Sequence, residues 1–204
     1  MEKVAGKILE WGSASRVLAG ERISGDRHVV CFFPGGALAA VIDGVGHGEE
    51  AAEAAEIAAN MLRERAWQPL PVLVEACHEA LKGTRGAVMS VVSFQADEAQ
   101  LAGIGVGNVE TVFLRATPDG EKIGEFLVLR SGLVGSRLPS LRSMTIEIAP
   151  RDLVIFATDG IRPDFSEDLN IAQSPQQIAD AILRTKSKGT DDALVLVVRY
   201  RGGA

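Results

Sequence analysis

The stretch "AAVIDGVGHGEEAAEAAEIA", residues 39–58, runs from an apolar segment through an Asp-Gly pair and two more glycines into an alanine-rich segment. Apolar residues at 54, 57, 58, 61 and 62 follow helical spacing, and Glu49, Glu50 and Glu53 occupy the first turns, where the helix dipole favours acids. The pattern predicts a strand ending at Asp43 and a helix from Glu49 to about Arg65. A carboxylate at the end of a core strand is costly to desolvate unless something cationic compensates it.

Upstream, "HVVCFFPGGALAAVI" (28–42) reads as two β-type runs around a Pro-Gly-Gly turn, a hairpin. Downstream, Pro69 and Pro71 announce a second helix over about Leu70–Lys82, closed by Gly83. After Gly83 the chain becomes a succession of β-rich runs: "GAVMSVVSF", "QLAGIGVGNVETVFLRA", "IGEFLVLRSG", "SMTIEIA" and "DLVIFATDG". Ser174-Pro175 starts a last helix over about 175–185, and "DDALVLVVRY" closes the chain as a buried strand. Many strands with few crossover helices argue for an α+β class of antiparallel sheets covered by helices, against a doubly wound parallel sheet.

The 204 residues, 47% hydrophobic, suit one domain over 1–204 with a full core. Net charge is −6, and the 21 Lys and Arg are scattered, so neither nucleic acid nor an anionic membrane is the expected partner; a protein or small ligand is. Cys31 and Cys77 lack C-x-x-C spacing and sit in apolar surroundings, which reads as reduced core thiols. No segment has the length and apolarity of a signal peptide or membrane span, so a cytoplasmic location is expected.

Asp-Gly occurs at Asp43-Gly44, Asp119-Gly120 and Asp159-Gly160. Each could be a plain turn, because glycine takes positive φ without cost. The Asp119 pair, inside polar "TPDGEK", is read as a hairpin turn. The other two follow strongly apolar strands, "ALAAVI" and "DLVIFAT". Asp26 before the first hairpin and Asp191-Asp192 before the last strand bring the strand-end acidic sites to four. Carboxylates without a matching His/Cys set exclude a typical zinc site and point to two hard ions, Mg²⁺ or Mn²⁺. Such a pair, roughly 3.5 to 4 Å apart, activates water and clamps a phosphoryl group.

The order of "SGD", "DGVGHG", "TRGAV", "GVGN", "TDGI" and "GTDDALVLVV" over residues 20–200 resembles the metal-dependent (PPM, type 2C) serine/threonine protein phosphatases, above all their compact SpoIIE-like and RsbX-like bacterial branch. The resemblance implies two antiparallel sheets flanked by helices, an α-β-β-α sandwich, with a binuclear Mn²⁺/Mg²⁺ centre at one end. It makes Asp43 the bridging acid and Gly44 the donor of a backbone carbonyl to the second metal. Asp159 and Asp191 become acids of the first metal, Asp191 being preferred over Asp192, and Asp26 a ligand of the second, directly or through water. Asp43, Asp159 and Asp191 thereby carry catalysis. The substrate implied is a phosphorylated STAS-domain protein of a bacterial stress-signalling complex, with an anti-sigma antagonist as the alternative.

Larger members hold phosphate with an arginine five residues before the early acid; here that position is Glu21, with Arg22 one place on. The short chain implies no long flap, so specificity would come from docking a protein partner. His47 could protonate a leaving alkoxide, though an exposed loop histidine is the commoner case, and Arg85 reads as a solvated surface arginine. "GIGVGN" opens no helix and is read as strand-packing glycines with a turn at Asn108. Two other readings compete: a non-catalytic scaffold on the same fold, and a dinucleotide loop at "DGVGHGEEA", whose G-x-G-x-G spacing does not match the dinucleotide fingerprint.

Overall fold

The computed structural model describes residues 8–96, 98–116 and 122–202. Its elements are β1 (Leu9–Arg16), β2 (Asp26–Phe33), β3 (Gly36–Gly44), α1 (Glu49–Glu64), α2 (Leu70–Ala80), β4 (Ala87–Gln95), β5 (Gln100–Val106), β6 (Glu110–Ala116) and β7 (Lys122–Phe126). There follow β8 (Leu129–Arg130), β9 (Met144–Glu147), β10 (Leu153–Ala157), α3 (Pro175–Lys186) and β11 (Ala193–Tyr200). One sheet has the order β1-β11-β10-β6-β7; the other has β2-β3-β4-β5-β8, with β9 also pairing β5.

Strand parity divides the apolar residues among three cores. Along β3, Leu38, Ala40 and Ile42 point to α1 and α2, while Ala37, Ala39 and Val41 point to the opposite sheet. Along β11, Leu194, Leu196 and Val198 meet that inner core, and Ala193, Val195 and Val197 face α3. The layers are therefore helix pair, sheet, sheet, helix. Each fully buried Val, Leu or Ile contributes about 1.5–3 kcal/mol, against under about 1 kcal/mol for an exposed ion pair. Burial in these cores, more than surface charge, fixes how the sheets lie on each other.

Local chemistry sets the boundaries. β2 and β3 are joined by Pro34-Gly35, with Phe33 opposite Gly36 and Gly35 at φ 86°. The buried face of α1 is mostly alanine, at 51, 52, 54, 55, 58 and 59, which lets the helix lie close on β3. α3 starts at Ser174 with a reciprocal capping box to Gln177.

Several expectations need adjusting. β1 was not foreseen: "GSAS" has weak strand preference, and the strand exists because β11 supplies a partner along its whole length. α2 ends at Ala80, short of Lys82, with Gly83 at φ 87° beyond it. The sheets are antiparallel except for a two-residue parallel pairing of β5 with β8. Cys77 is buried, its thiol pushed up to about 12 by desolvation, but Cys31 is only partly buried. The "TPDGEK" turn lies largely outside the described residues; β6 and β7 on either side of it pair antiparallel. Among the described residues no helix is long and apolar enough to cross a membrane.

Candidate metal centre

Asp26 and Asp43 are direct cross-strand partners in the β2–β3 ladder. The parity that sends Ala39 and Val41 into the inner core turns Asp43 the same way, and Asp26 with it. From the opposite sheet, β10 ends at Ala157 and delivers Thr158 and Asp159, while β11 begins at Ala193, just after Asp191 and Asp192. Four separate strand ends thus bring acids to one pole of the sandwich.

Hydrogen bonds tie the two sheets at this pole. The Thr158 hydroxyl donates to Asp26 Oδ2 at 2.9 Å and accepts the Leu194 N–H at 2.9 Å. Asp192, 4% exposed, accepts the Leu18 N–H on Oδ1 and the Gly25 N–H on Oδ2, each at 2.7 Å. Asp191 accepts the Asp192 N–H through Oδ1 at 2.8 Å. Asn108 donates to Asp159 Oδ2 at 3.0 Å, and Lys188 Nζ donates to the Asp159 carbonyl at 2.6 Å.

The electrostatics are those of carboxylates in want of a cation. Burial pushes Asp43 up to about 8, helped by the charges of Asp26, Asp159, Asp191 and Asp192. Burial likewise raises Asp26 to about 7; the Thr158 hydrogen bond opposes the shift, and Asp192, Asp159 and Asp191 add to it. The charges acting on both are carboxylates, which places the five acids within one field. Among the described residues no three acid, His or Cys side chains already form a ready-made ligand group. The fit to a metal rests on the donor set itself, oxygen-only and anionic, which suits hard divalent ions.

Both glycines of the acid-bearing pairs are required by close approach rather than by positive φ. A Cβ on Gly44 would stand 2.0 Å from the Ala51 carbonyl oxygen of α1, and one on Gly160 would stand 1.9 Å from the Asp192 carbonyl oxygen. The turn reading of Asp43-Gly44 gives way to a packing one, because Gly44 is the last residue of β3; Asp159-Gly160 does form a turn, closed by the Ile161 N–H on the Thr158 carbonyl at 3.0 Å, and its glycine is needed for packing as well.

The remaining sequence candidates sit at the rim. His47 is exposed, and its Nδ1 lies 2.6 Å from Glu21 Oε1. Arg22 is exposed, and Arg85 is ion-paired with Glu50 rather than simply solvated. Asn108, Thr158 and Lys188 were missed as site residues. A threonine ending a strand and a lysine in "KGTDD" carry no pattern of their own, and Asn108 was seen only as a turn residue.

A four-layer sandwich with acids at four strand ends of one pole defines the metal-dependent protein phosphatases of the PPM, type 2C, class. Within that class the chain belongs to the stage II sporulation protein E (SpoIIE) family, whose model matches residues 34–201. It is 26% identical over 168 residues to the phosphoserine phosphatase RsbX of Bacillus subtilis (strain 168), covering 82% of this chain and 78% of RsbX. The structure of RsbX in complex with magnesium superposes with TM-score 0.82 at 22% identity, over 95% of this chain and 96% of that one. A chain from work on the bacterial stressosome as a modular system adapted to control secondary messenger signaling gives 0.83 at 28% identity, over 94% and 99%. The catalytic domain of the serine/threonine phosphatase PstP with two manganese ions gives 0.73 at 15% identity, over 95% and 99%.

Proposed function

We propose that this single domain, residues 1–204, hydrolyses phosphoserine or phosphothreonine on a regulatory protein, using two divalent ions, Mg²⁺ or Mn²⁺. The observation that carries the reading is the face-to-face pair of buried Asp26 and half-buried Asp43, beside three more acids and with no cation among the charges that dominate it. Asp43 would hold both ions, Asp159 and Asp191 the first, and the Gly44 carbonyl and Asp26 the second. The preference for Asp191 over Asp192 is supported by hydrogen bonding: both Asp192 oxygens are engaged by backbone N–H groups, while among the described residues Asp191 Oδ2 has no hydrogen-bond partner. Ions held there would activate water and neutralise charge developing on the phosphoryl oxygens.

The chain's own groups do the positioning. Thr158 orients the Asp26 carboxylate, Asn108 orients that of Asp159, and Lys188 fixes the Asp159 backbone. The named activity of RsbX and the stressosome setting of the second relative support a phosphorylated stress-signalling substrate, a STAS-domain protein being the specific expectation, in the cytoplasm.

The test is hydrolysis of p-nitrophenyl phosphate and a phosphothreonine peptide with Mn²⁺, with and without chelator, beside Asp159→Asn. Turnover that needs metal and collapses in the variant is expected. Absence of turnover together with absence of Mn²⁺ binding by calorimetry would overturn the reading in favour of a scaffold.

A further inference from the structure

We infer that the end of β8 and the loop from it to β9, carrying Arg130, Arg137 and Arg142, form the surface that selects an acidic phosphoprotein partner for this site. The inference rests on the phosphatase reading and adds to it the chemistry of the partner.

The loop is fixed beside the acid pole. Ala87 pairs with Gly44 on one side and with Val134 on the other, so Val134 lies two strand positions, about 10 Å, from Gly44. Val134 and Ala87 exchange both backbone hydrogen bonds, at 2.9 and 3.0 Å. The Gly135 N–H donates to His78 Nδ1 at 3.0 Å, and Arg137 N–H closes a tight turn onto the Leu133 carbonyl at 2.8 Å. Leu138 and Leu141 pack on the core beneath α1 and α2. Arg130 leads into the loop from β8, where it pairs with Val106, itself opposite Met89 near the same pole.

The charge of this segment is opposite to that of the molecule. Between Glu125 and Glu147 there is no acid, and the three arginines give +3 in a chain of net charge −6. Arg137 and Arg142 are exposed and Arg130 is partly buried. Among the described residues none of the three side chains has a hydrogen bond or ion pair, unlike Arg85, Arg115, Arg162 and Arg199, each of which has a carboxylate partner. Unpaired guanidinium groups carried on an anchored backbone suit bidentate contact with carboxylates. Three arginines in an acidic chain, with no aromatic side chain in the loop, favour an acidic protein segment over nucleic acid.

The experiment compares wild type with Arg137→Glu/Arg142→Glu, and with Arg65→Glu/Arg184→Glu as an equal change of charge elsewhere. Substrates are p-nitrophenyl phosphate and two phosphothreonine peptides of equal length, flanked by Asp/Glu or by Lys; melting curves confirm folding. Wild type is expected to prefer the acidic peptide in kcat/KM by about tenfold at low salt, with the preference shrinking in high salt. The loop variant should lose that preference and keep p-nitrophenyl phosphate turnover, while the control variant keeps both. Metal-dependent turnover with the acidic preference intact in the folded loop variant would overturn the loop assignment alone. Lack of turnover on all substrates together with absence of Mn²⁺ binding by calorimetry would overturn the phosphatase reading, and the loop assignment with it. Binding of a single-stranded oligonucleotide that the loop variant abolishes, without discrimination between peptides, would reassign the loop to nucleic acid.

Discussion

Asp192 holds Gly25 through a 2.7 Å hydrogen bond from the glycine N–H to Oδ2, and Gly25 in turn accepts the Gly44 N–H through its carbonyl at 3.1 Å. A residue at the start of β11 thereby clamps the strand end that carries Asp43 in the other sheet. Asp192 is a structural acid beside Asp191, the proposed metal ligand, and the two roles can be separated. Asp192→Asn would set an amide NH2 against a backbone N–H, at a cost of about 1–3 kcal/mol for the buried unmet donor. Asp191→Asn keeps the acceptor for the Asp192 N–H and should leave the melting temperature nearly unchanged, while turnover falls by about a hundredfold or more. Thermal melts and Mn²⁺-dependent hydrolysis of the two variants check this; equal melting losses would refute it.

The buried acids make the chelated protein sensitive to base. Asp43 and Asp26 titrate near 8 and 7 in the folded chain and near 3.8 when unfolded. Between those values the folded state binds more protons than the unfolded one, so stability falls as pH rises. Their contribution is full below about pH 4 and is lost as pH passes through 7 and 8. Melting temperature in EDTA should therefore drop from pH 5.5 to pH 8.5, the drop should be smaller in Asp43→Asn, and Mn²⁺ should restore wild type at the higher pH. A flat profile for chelated wild type would contradict the field described for this pole.

Thr158→Val removes the donor to Asp26 and the acceptor of the Leu194 N–H while keeping shape. A loss of about 1–3 kcal/mol is expected, and the Asp26 carboxyl should titrate higher still, because the hydroxyl hydrogen bond opposes its upward shift. Thr158→Ser should recover both. Denaturant unfolding and carboxyl-resolved NMR titration are the measurements.

Gly160→Ala and Gly44→Ala each place a methyl about 2 Å from a backbone carbonyl oxygen, at Asp192 and Ala51 respectively. Because backbone rather than a flexible side chain must move, losses above about 2 kcal/mol with loss of turnover are expected. Gly35→Ala meets no atom within 4 Å and bears only the strain of its φ of 86°, so its cost should stay near 1 kcal/mol. Melting temperatures of the three variants order these effects.

Much of this pole was legible because an acid at the end of an apolar strand conflicts with burial: Asp43 and Asp159 follow such strands, and the Asp191-Asp192 pair precedes one. The α1 boundary was legible from glutamates preceding periodic alanines. What stayed hidden depends on contacts between distant segments. Choosing between Asp191 and Asp192 needs the Leu18 and Gly25 backbone, more than 160 residues away in sequence. Gly44 and Gly160 are required by atoms of Ala51 and Asp192, contacts that no local sequence pattern announces. β1 borrows its strand character from β11.

The hairpin turn at Pro34-Gly35 lies eight strand residues, about 25 Å, from the acids, at the far end of β2 and β3. It nonetheless sets which residue faces Asp43, because ladder register propagates without slack from one end of a strand to the other. Losing or gaining one residue there would bring Arg27 or Gly25 into the place of Asp26 and rotate the acid out of the cleft. A lesion with no atom near the acid pole would thus abolish the proposed metal site by misalignment, so the turn and the carboxylates form a single unit of length.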